Sequence, residues 1–187
     1  MIDDLELHTE RLTLKVLGPG YANRVLAYLV RNRAFFKEWN PVTGEDYFSL
    51  AYQEQRLRDE MALAEDGWML RLHFFERADT SYERVIGDLA LNNIIRGAFQ
   101  SCHLGYKIDE RELNKGLMTE AVRAAIAYAF GEMRLHRIEA NIMPRNQRSR
   151  RVVEKLGFEE EGLARKYLKI NSVWEDHIHY VIFNDAV

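Results

Sequence analysis

The sequence predicts an α/β fold, with a mixed sheet flanked by helices. Two observations predict it. Between residues 101 and 157, runs that alternate apolar and polar residues are each followed by a helix-like run without Pro. Two further alternating runs then close the chain on either side of Asn171 and Ser172. The whole chain is interpreted as a strand, two helices, three strands, a helix, a strand, a helix and two strands.

The first half of the chain supplies the first strand, two helices and two more strands. Residues 11–17 alternate as a strand, and Pro19 and Gly20 begin a helix that runs to about Val30. The aromatic segment 35–47 is interpreted as a loop, and residues 50–65 as a second helix with a charged outer side. Strands are predicted at 68–75 and 84–95, the second bent near Gly87, with a polar turn at 77–83.

A strand, a loop and a helix then follow in a pattern that can hold phosphates. Residues 102–108 alternate as a strand, residues 109–115 form a polar loop, and a helix begins after Gly116 and continues to Gly131. The first N–H groups of a helix are unpaired, and the helix dipole favours an anion beside them. Gly116 lets an anion approach the backbone closely. The alternative is that Gly116 only makes a turn.

The next strand and helix place two polar residues together. Residues 137–142 are the predicted strand, and the helix after it ends near Gly157. Asn146 and Ser149 are three positions apart and share a helix face, with Ser149 on the inward stripe. The outer face carries Arg148, Arg151 and Lys155. The alternative is that Asn146 is an N-cap and Ser149 a small polar residue of the first turn.

The two segments together resemble a known family. NKGLMTEA, NQRS and EKLGF resemble the GNAT superfamily of acetyl-CoA-dependent N-acetyltransferases. Leu113 and Met118 depart from its usual phosphate motif, Gln/Arg-x-x-Gly-x-Gly/Ala, while Gly116 matches it. FFKEWNPV, IIRGAFQSCHLGYKI and HRIEANIMPRNQRS are similar to the ribosomal-protein-alanine N-acetyltransferases, nearer to the RimJ type than to the RimL type. The resemblance extends from about Glu10 to Tyr180.

This resemblance implies a mixed, mostly antiparallel sheet that splays around an acetyl-CoA cleft. Backbone groups of one strand would bind the pantetheine arm, and the loop and helix start would bind the pyrophosphate. Ser149 would be the acid that protonates the leaving thiolate, and Asn146 would orient the coenzyme. The implied acetyl-CoA residues are Tyr106, Lys107, Ile108, Asn114, Lys115, Gly116, Leu117, Met118, Thr119, Asn146, Ser149 and Arg151.

The implied reaction is direct attack, in a ternary complex, by the N-terminal α-amine of a protein, an alanine of a ribosomal protein. An α-amine titrates near about 7.7–8.0 and a Lys near about 10.4, so an α-amine needs a weaker base. The general base stays unassigned. Its candidates, in segments expected to border the substrate groove, are Glu38, Tyr167, Glu175 and Asp176. The expected groove walls are Phe36, Trp39 and Tyr47 on one side and the segment 167–174, with Trp174, on the other.

Two other functions remain open. The first is the same fold acting on a small-molecule amine, such as an antibiotic, a polyamine or an amino acid. The second is a non-catalytic acyl-CoA-binding or ribosome-associated protein. Ser149 favours an enzyme over a binding protein, and the full-length resemblance favours a protein acceptor over a small molecule.

Composition limits the remaining classes. A chain of 187 residues predicts a single domain, 1–187 with its core at about 10–183, in a monomer or homodimer. The net charge of −3 argues against broad nucleic-acid binding, and no apolar run is long enough to span a membrane. The single Cys102 excludes an internal disulfide and suits the cytoplasm. No Cys/His cluster has metal-ligand spacing, and His177 and His179 are interpreted as alternate positions of a strand.

Overall fold

The computed structural model describes residues 2–186, which form an eight-stranded sheet with helices on both faces. The strands are β1 (Glu6–His8), β2 (Leu12–Lys15), β3 (Leu70–Glu76), β4 (Gly87–Ile95), β5 (Ser101–Ile108), β6 (Arg137–Ile142), β7 (Glu159–Ile170) and β8 (Val173–Phe183). The helices are α1 (Ala22–Arg31), α2 (Arg33–Lys37), α3 (Leu50–Glu65), α4 (Leu117–Gly131) and α5 (Gln147–Lys155). Across residues 2–186, no helix combines the length and apolar character that a bilayer crossing requires.

The strand order is β1-β2-β3-β4-β5-β6-β8-β7, and every neighbouring pair described is antiparallel except β5 with β6. The mixed, mostly antiparallel sheet expected from the sequence is therefore confirmed. Helices α1 and α3 pack on one face through Tyr28 and Leu57, and α4 packs on the other. The α4 face is rich in alanine, with Ala121 and Ala125 fully buried, so the helix can lie close to the strands.

The parallel pair opens the sheet in its middle. β5 and β6 are paired only from Ser101 to His103, against Arg137 to Glu139, within the described residues. Beyond His103, β5 continues beside β4 as far as the pair of Ile108 with Gly87, whereas β6 continues beside β8. The facing edges of β5 and β6 therefore diverge, as the predicted splayed sheet requires, and leave backbone groups available for a ligand.

The aromatic segment 35–47 was predicted as a loop, and this is wrong at its start. Helix α2 covers Arg33–Lys37, and a 3-10 turn covers Glu45–Phe48. Phe36 anchors α2 because its ring is buried and packs edge-on against Tyr28 at 5.4 Å between centroids. This contact is tertiary, and a five-residue helix has too few turns to show a periodic pattern in the sequence.

Two more boundaries differ from the predictions. Strand β1 lies before the expected start of the core and was missed, because three residues show no alternation. Strand β4 begins at Gly87, not at residue 84, and its irregularity lies between Asn92 and Ile95, not near Gly87. Gly87 serves a different purpose: a Cβ there would lie 2.6 Å from the Phe74 ring, so only glycine allows this close packing.

Candidate functional site

A cavity of about 770 Å³ lies where β5 and β6 diverge. Its walls come from the facing ends of these strands, the first turns of α4 and α5, the end of α2, and β7 and β8. Most of the predicted site residues line it: Phe36, Glu38, Trp39, Tyr106, Lys107, Ile108, Asn114, Gly116, Leu117, Met118, Thr119, Asn146, Ser149 and Arg151. Six others do not line it: Tyr47, Lys115, Tyr167, Trp174, Glu175 and Asp176.

The start of α4 presents unpaired N–H groups to the cavity wall. The first intrahelical bond runs from the Glu120 N–H to the Gly116 carbonyl at 3.1 Å, so the N–H groups of residues 117–119 precede the helical ladder. Gly116 is the N-cap residue with φ +78°, a left-handed conformation that a β-branched residue rarely adopts. Together with the helix dipole, this arrangement can hold an anion.

Arg11, which the sequence analysis did not single out, supports this loop from outside. Its guanidinium donates to the Lys115 carbonyl at 2.9 Å and to Glu120 Oε2 at 2.7 Å. Thr9 also donates to Glu120, at 2.6 Å. Burial opposes ionisation of Glu120, but the hydrogen bonds from Thr9 and Arg11 outweigh it and lower the pKa of this carboxyl. No signal in the sequence links Arg11 to a loop about a hundred residues away.

The outer face of α5 supplies positive charge. Arg148, Arg151 and Lys155 line the cavity with exposed side chains, as the predicted outer face required. Arg150 lies apart from them and donates to the Tyr180 hydroxyl at 2.9 Å. Three cations beside unpaired N–H groups favour a ligand with several phosphates.

Ser149 is bonded to the hydroxyl of Tyr106, across the divergence of the strands. The Ser149 hydroxyl donates to Tyr106 Oη at 2.8 Å, and Tyr106 donates to the Ser149 carbonyl at 3.0 Å. Burial raises the pKa of Tyr106, so its hydroxyl stays protonated at neutral pH. The sequence analysis expected only backbone groups of this strand to matter, whereas the structure places a second hydroxyl beside Ser149.

Asn146 is the N-cap of α5. Its Oδ1 accepts from the Ser149 N–H at 3.2 Å, which satisfies one of the orphan donors of the first turn. The inward stripe of this helix is confirmed by Val153, which is fully buried, and by Val152 and Leu156, which pack against the core. Asn146 therefore fixes the position of Ser149 at the cavity wall.

Arg145 closes the other end of the cavity. Its guanidinium lies 5.0 Å from the centre of the Trp39 ring and bonds to Glu38 and Glu175, each at 3.0 Å. This residue therefore ties the end of α2 to β8. No pattern in the sequence links Arg145 to these partners, because they are 107 and 30 positions away.

Comparison with known proteins decides the family. A family model described as the acetyltransferase (GNAT) domain matches residues 11–159. The chain belongs to this family. It is an N-acetyltransferase whose co-substrate is acetyl-CoA, and the fold expected from the resemblance is confirmed.

Two curated relatives and one solved structure are similar to this N-acetyltransferase over most of its length. A probable N-acetyltransferase, YjcK of Bacillus subtilis, is 44% identical over 82% of this chain and 83% of its own. The ribosomal protein uS5-alanine N-acetyltransferase of Escherichia coli is 35% identical over 95% of this chain and 90% of its own. A ribosomal-protein-S5-alanine acetyltransferase structure from Vibrio fischeri superposes with TM-score 0.91 and 33% identity, over 97% and 98% of the two chains.

The predicted groove walls of this acetyltransferase separate into two groups. Phe36 and Trp39 line the main cavity. Tyr47 lies instead in a neighbouring cavity of about 460 Å³ and accepts from Arg56 at 3.2 Å. Trp174 is 58% exposed and pairs with Lys169 across the β7–β8 hairpin, outside both cavities. Each of the two predicted walls therefore has residues that line the main cavity and residues that lie outside it.

The candidates for the general base are each held by a hydrogen-bond partner. Tyr167 accepts from Asn141 at 3.2 Å, and burial raises the pKa of its phenol. Glu38 lines the cavity but is bonded to Arg145, as is Glu175 behind it. Asp176 accepts from the Lys166 N–H at 2.8 Å and braces the hairpin. Each candidate carboxylate therefore has a structural partner.

Two titratable residues of β5, Lys107 and Cys102, are not candidates for the general base. Lys107 lines the cavity while its Nζ lies 3.9 Å from the buried carboxylate of Asp88. Burial raises the pKa of the Cys102 thiol to about 12, so this thiol is protonated at neutral pH and packs in the core. Lys107 therefore contributes positive potential to the cleft.

Proposed function

We propose that this acetyltransferase transfers the acetyl group of acetyl-CoA to the N-terminal α-amine of a protein, an alanine of a ribosomal protein. The observation that carries the proposal is the acceptor end of the cavity, which is lined by Phe36, Trp39, Leu168 and Ile170. An apolar lining of this kind suits the small first side chain of a peptide. A ribosomal acceptor would also place the reaction in the cytoplasm.

Electrostatics at this end argue against a polycationic small acceptor. Polyamines and aminoglycosides are bound through carboxylates that are free to pair with ammonium groups. Here the carboxylates of Glu38 and Glu175 are both bonded to Arg145. Lys107 adds a further positive charge to the same wall. A neutral amine on an apolar peptide end is the better match for this surface.

Binding of acetyl-CoA follows from the other end of the cavity. In this proposal the N–H groups of residues 114–119 bind the pyrophosphate, and the exposed cations Arg148, Arg151 and Lys155 pair with phosphate oxygens. The free edge of β5, from Tyr106 to Ile108, hydrogen-bonds the pantetheine arm. Acetyl-CoA supplies the activated acetyl group, and the protein supplies its orientation.

Ser149 is proposed as the acid that assists the leaving thiolate, with Asn146 as the residue that positions it. The amine attacks directly, so no acyl-enzyme is formed. At pH 7 roughly a tenth of an α-amine is neutral, against well under a thousandth of a Lys amine. This difference of about 2.5 pKa units, or roughly 3.4 kcal/mol, favours an α-amine acceptor at a site without a strong base.

The experiment is acetyl transfer to a panel of acceptors, read by mass spectrometry. The panel contains peptides that begin with Ala, Ser or Met, an N-terminally blocked peptide with an internal Lys, and spermidine and an aminoglycoside. We expect acetylation at the α-amine, with the highest kcat/KM for the peptide that begins with Ala. Higher kcat/KM for a small amine, or for the blocked peptide, would overturn the proposal, and so would absence of transfer to every peptide α-amine in the panel.

A further inference from the structure

His177 is a cavity residue that the sequence analysis interpreted only as a position of a strand. It lies in β8, is 3% exposed, and lines the main cavity beside Leu168 and Ile170. Its Nδ1 lies 3.1 Å from the Glu175 carbonyl oxygen. A carbonyl can only accept, so Nδ1 carries the hydrogen and Nε2 holds the lone pair. Among residues 2–186, none hydrogen-bonds to Nε2.

The other proton acceptors of the cavity wall are occupied by ion pairs. Glu38 is bonded to Arg145 at 3.0 Å. Glu112 is 5% exposed and bonded to Arg84 at 2.9 Å and to Lys115 at 2.7 Å. Burial opposes ionisation of Glu112, but the hydrogen bonds from Lys115 and Arg84 outweigh it and lower the pKa of this carboxyl, which weakens it as a base. Tyr106 also lines this wall, but burial raises its pKa and its hydroxyl stays protonated. Within the part of the chain that the structure describes, His177 is therefore the imidazole or carboxylate of this wall without a cationic partner.

We propose that His177 is the general base, and that its Nε2 accepts the proton of the attacking amine. The amine nitrogen forms a bond to the acetyl carbonyl carbon, and the C–S bond breaks. The amine proton passes to Nε2, and the thiolate leaves with the electron pair and takes a proton from Ser149. Solvent then returns a proton to Ser149 and removes the one held by Nε2, so that both residues regain their starting states. The inference rests on the proposed function only for the identity of the amine.

The surroundings keep the imidazole of His177 neutral. Burial lowers the pKa of His177, and His179 on the same strand lowers it further. The groups that face it are Glu175, Asp176 and His179 of β8 and the Tyr167 ring of β7, which lies 5.5 Å away. Glu175 and Asp176 oppose the lowering but do not overcome it. At neutral pH the lone pair of Nε2 is therefore available.

The test compares His177→Asn with the matched variant His179→Asn. Asparagine can still donate to the Glu175 carbonyl through its amide but lacks the base at Nε2. His179 lies two positions along the same strand, contacts Glu139 at 3.4 Å and does not line the cavity. For His177→Asn we expect kcat to fall about hundredfold or more, with an unchanged acetyl-CoA dissociation constant. For His179→Asn we expect kcat near the wild-type value.

The pH profile of kcat/KM for the acceptor separates a base from a residue that only positions the peptide. The wild-type profile should lose activity as pH falls through the acceptor amine pKa, and lose it more steeply at the lower pH where His177 also becomes protonated, because burial lowers the pKa of His177 below the ordinary histidine value. His177→Asn should lose only the second, steeper limb. An unchanged steep limb in His177→Asn, or equal loss of kcat in both variants, would overturn the proposal.

Failure of the proposed function gives a different result. The profile is measured with whichever amine the wild-type enzyme acetylates best in the acceptor panel. If that amine is a small molecule, the protein acceptor is wrong, but the steep limb and its loss in His177→Asn still decide the role of His177. A melting temperature of His177→Asn within a few degrees of the wild type shows that the variant is folded. An unchanged acetyl-CoA dissociation constant shows that its coenzyme site is intact.

Discussion

The two ends of the cleft are built in different ways. In the proposed arrangement the acetyl-CoA end comes from two continuous segments, residues 104–119 and 146–155, and much of it is backbone at the starts of α4 and α5. The acceptor end comes from α2, Arg145, β7 and β8, and it consists of side chains. Arg145, for example, forms ion pairs with Glu38 and Glu175, which are far apart in the sequence.

This difference explains which sequence changes each end tolerates. N–H groups do not depend on side-chain identity, so Leu113 and Met118 can depart from the usual motif while Gly116 keeps the cradle open. Side-chain contacts such as those of Arg145 and Trp39 change with every substitution. The acetyl-CoA end should therefore respond most to backbone changes, and the acceptor end to side-chain changes.

The largest expected effect is that of Gly116→Val on acetyl-CoA binding. A β-branched residue at φ +78° is strained by about 1–3 kcal/mol, and relief of this strain would turn the N–H groups away from the ligand. The dissociation constant, measured by calorimetry, should rise between about fivefold and about hundredfold.

Gly97→Val is the control, because Gly97 also has positive φ (+69°) and an open surrounding but lies outside the cavity. We expect this variant to lose stability and keep its affinity. Unchanged acetyl-CoA affinity in Gly116→Val would show that the acetyl-CoA end does not depend on the backbone conformation at this position.

A smaller effect is expected for Ser149→Ala, which changes a side chain at the junction of the two ends. If the hydroxyl assists thiolate departure, kcat should fall about tenfold or more with nearly unchanged acetyl-CoA binding. The fold should persist, because Tyr106 can still donate to the carbonyl of residue 149.

Tyr106→Phe tests the neighbouring hydroxyl in the same steady-state assay. Wild-type kcat in Ser149→Ala would remove Ser149 from the mechanism. A fall in kcat for Tyr106→Phe, without one for Ser149→Ala, would assign the acid role to the tyrosine.

The smallest expected effect is that of Trp39→Ala on the acceptor. Loss of the ring removes an apolar wall and the surface against which Arg145 stacks, so KM for the peptide should rise several-fold while KM for acetyl-CoA stays the same. Trp174→Ala, outside the cavity, is the control, with both KM values expected near the wild type. Equal changes in both KM values for Trp39→Ala would mean that this side chain belongs to the core and not to the acceptor end.

Local patterns predicted the elements that carry the acetyl-CoA end. The alternation of β5 and β6, Gly116 before α4, and the inward stripe of α5 are features of neighbouring residues, and the structure has each of these elements. Pattern reasoning failed where tertiary contact decides the element. Helix α2 depends on Phe36 against Tyr28, and β1 depends on its pairing with β2.

The sequence by itself determined the α/β order, the family resemblance and the placement of Gly116, Asn146 and Ser149 at helix starts, because these depend on spacing along the chain. Only the tertiary structure decided that Arg11 braces the loop before α4 and that Arg145 binds two candidate bases. It also decided that His177 faces the cleft while Trp174 does not. The physical reason is that ion pairs and cavity walls join residues distant in sequence, whose approach is set by the splayed sheet.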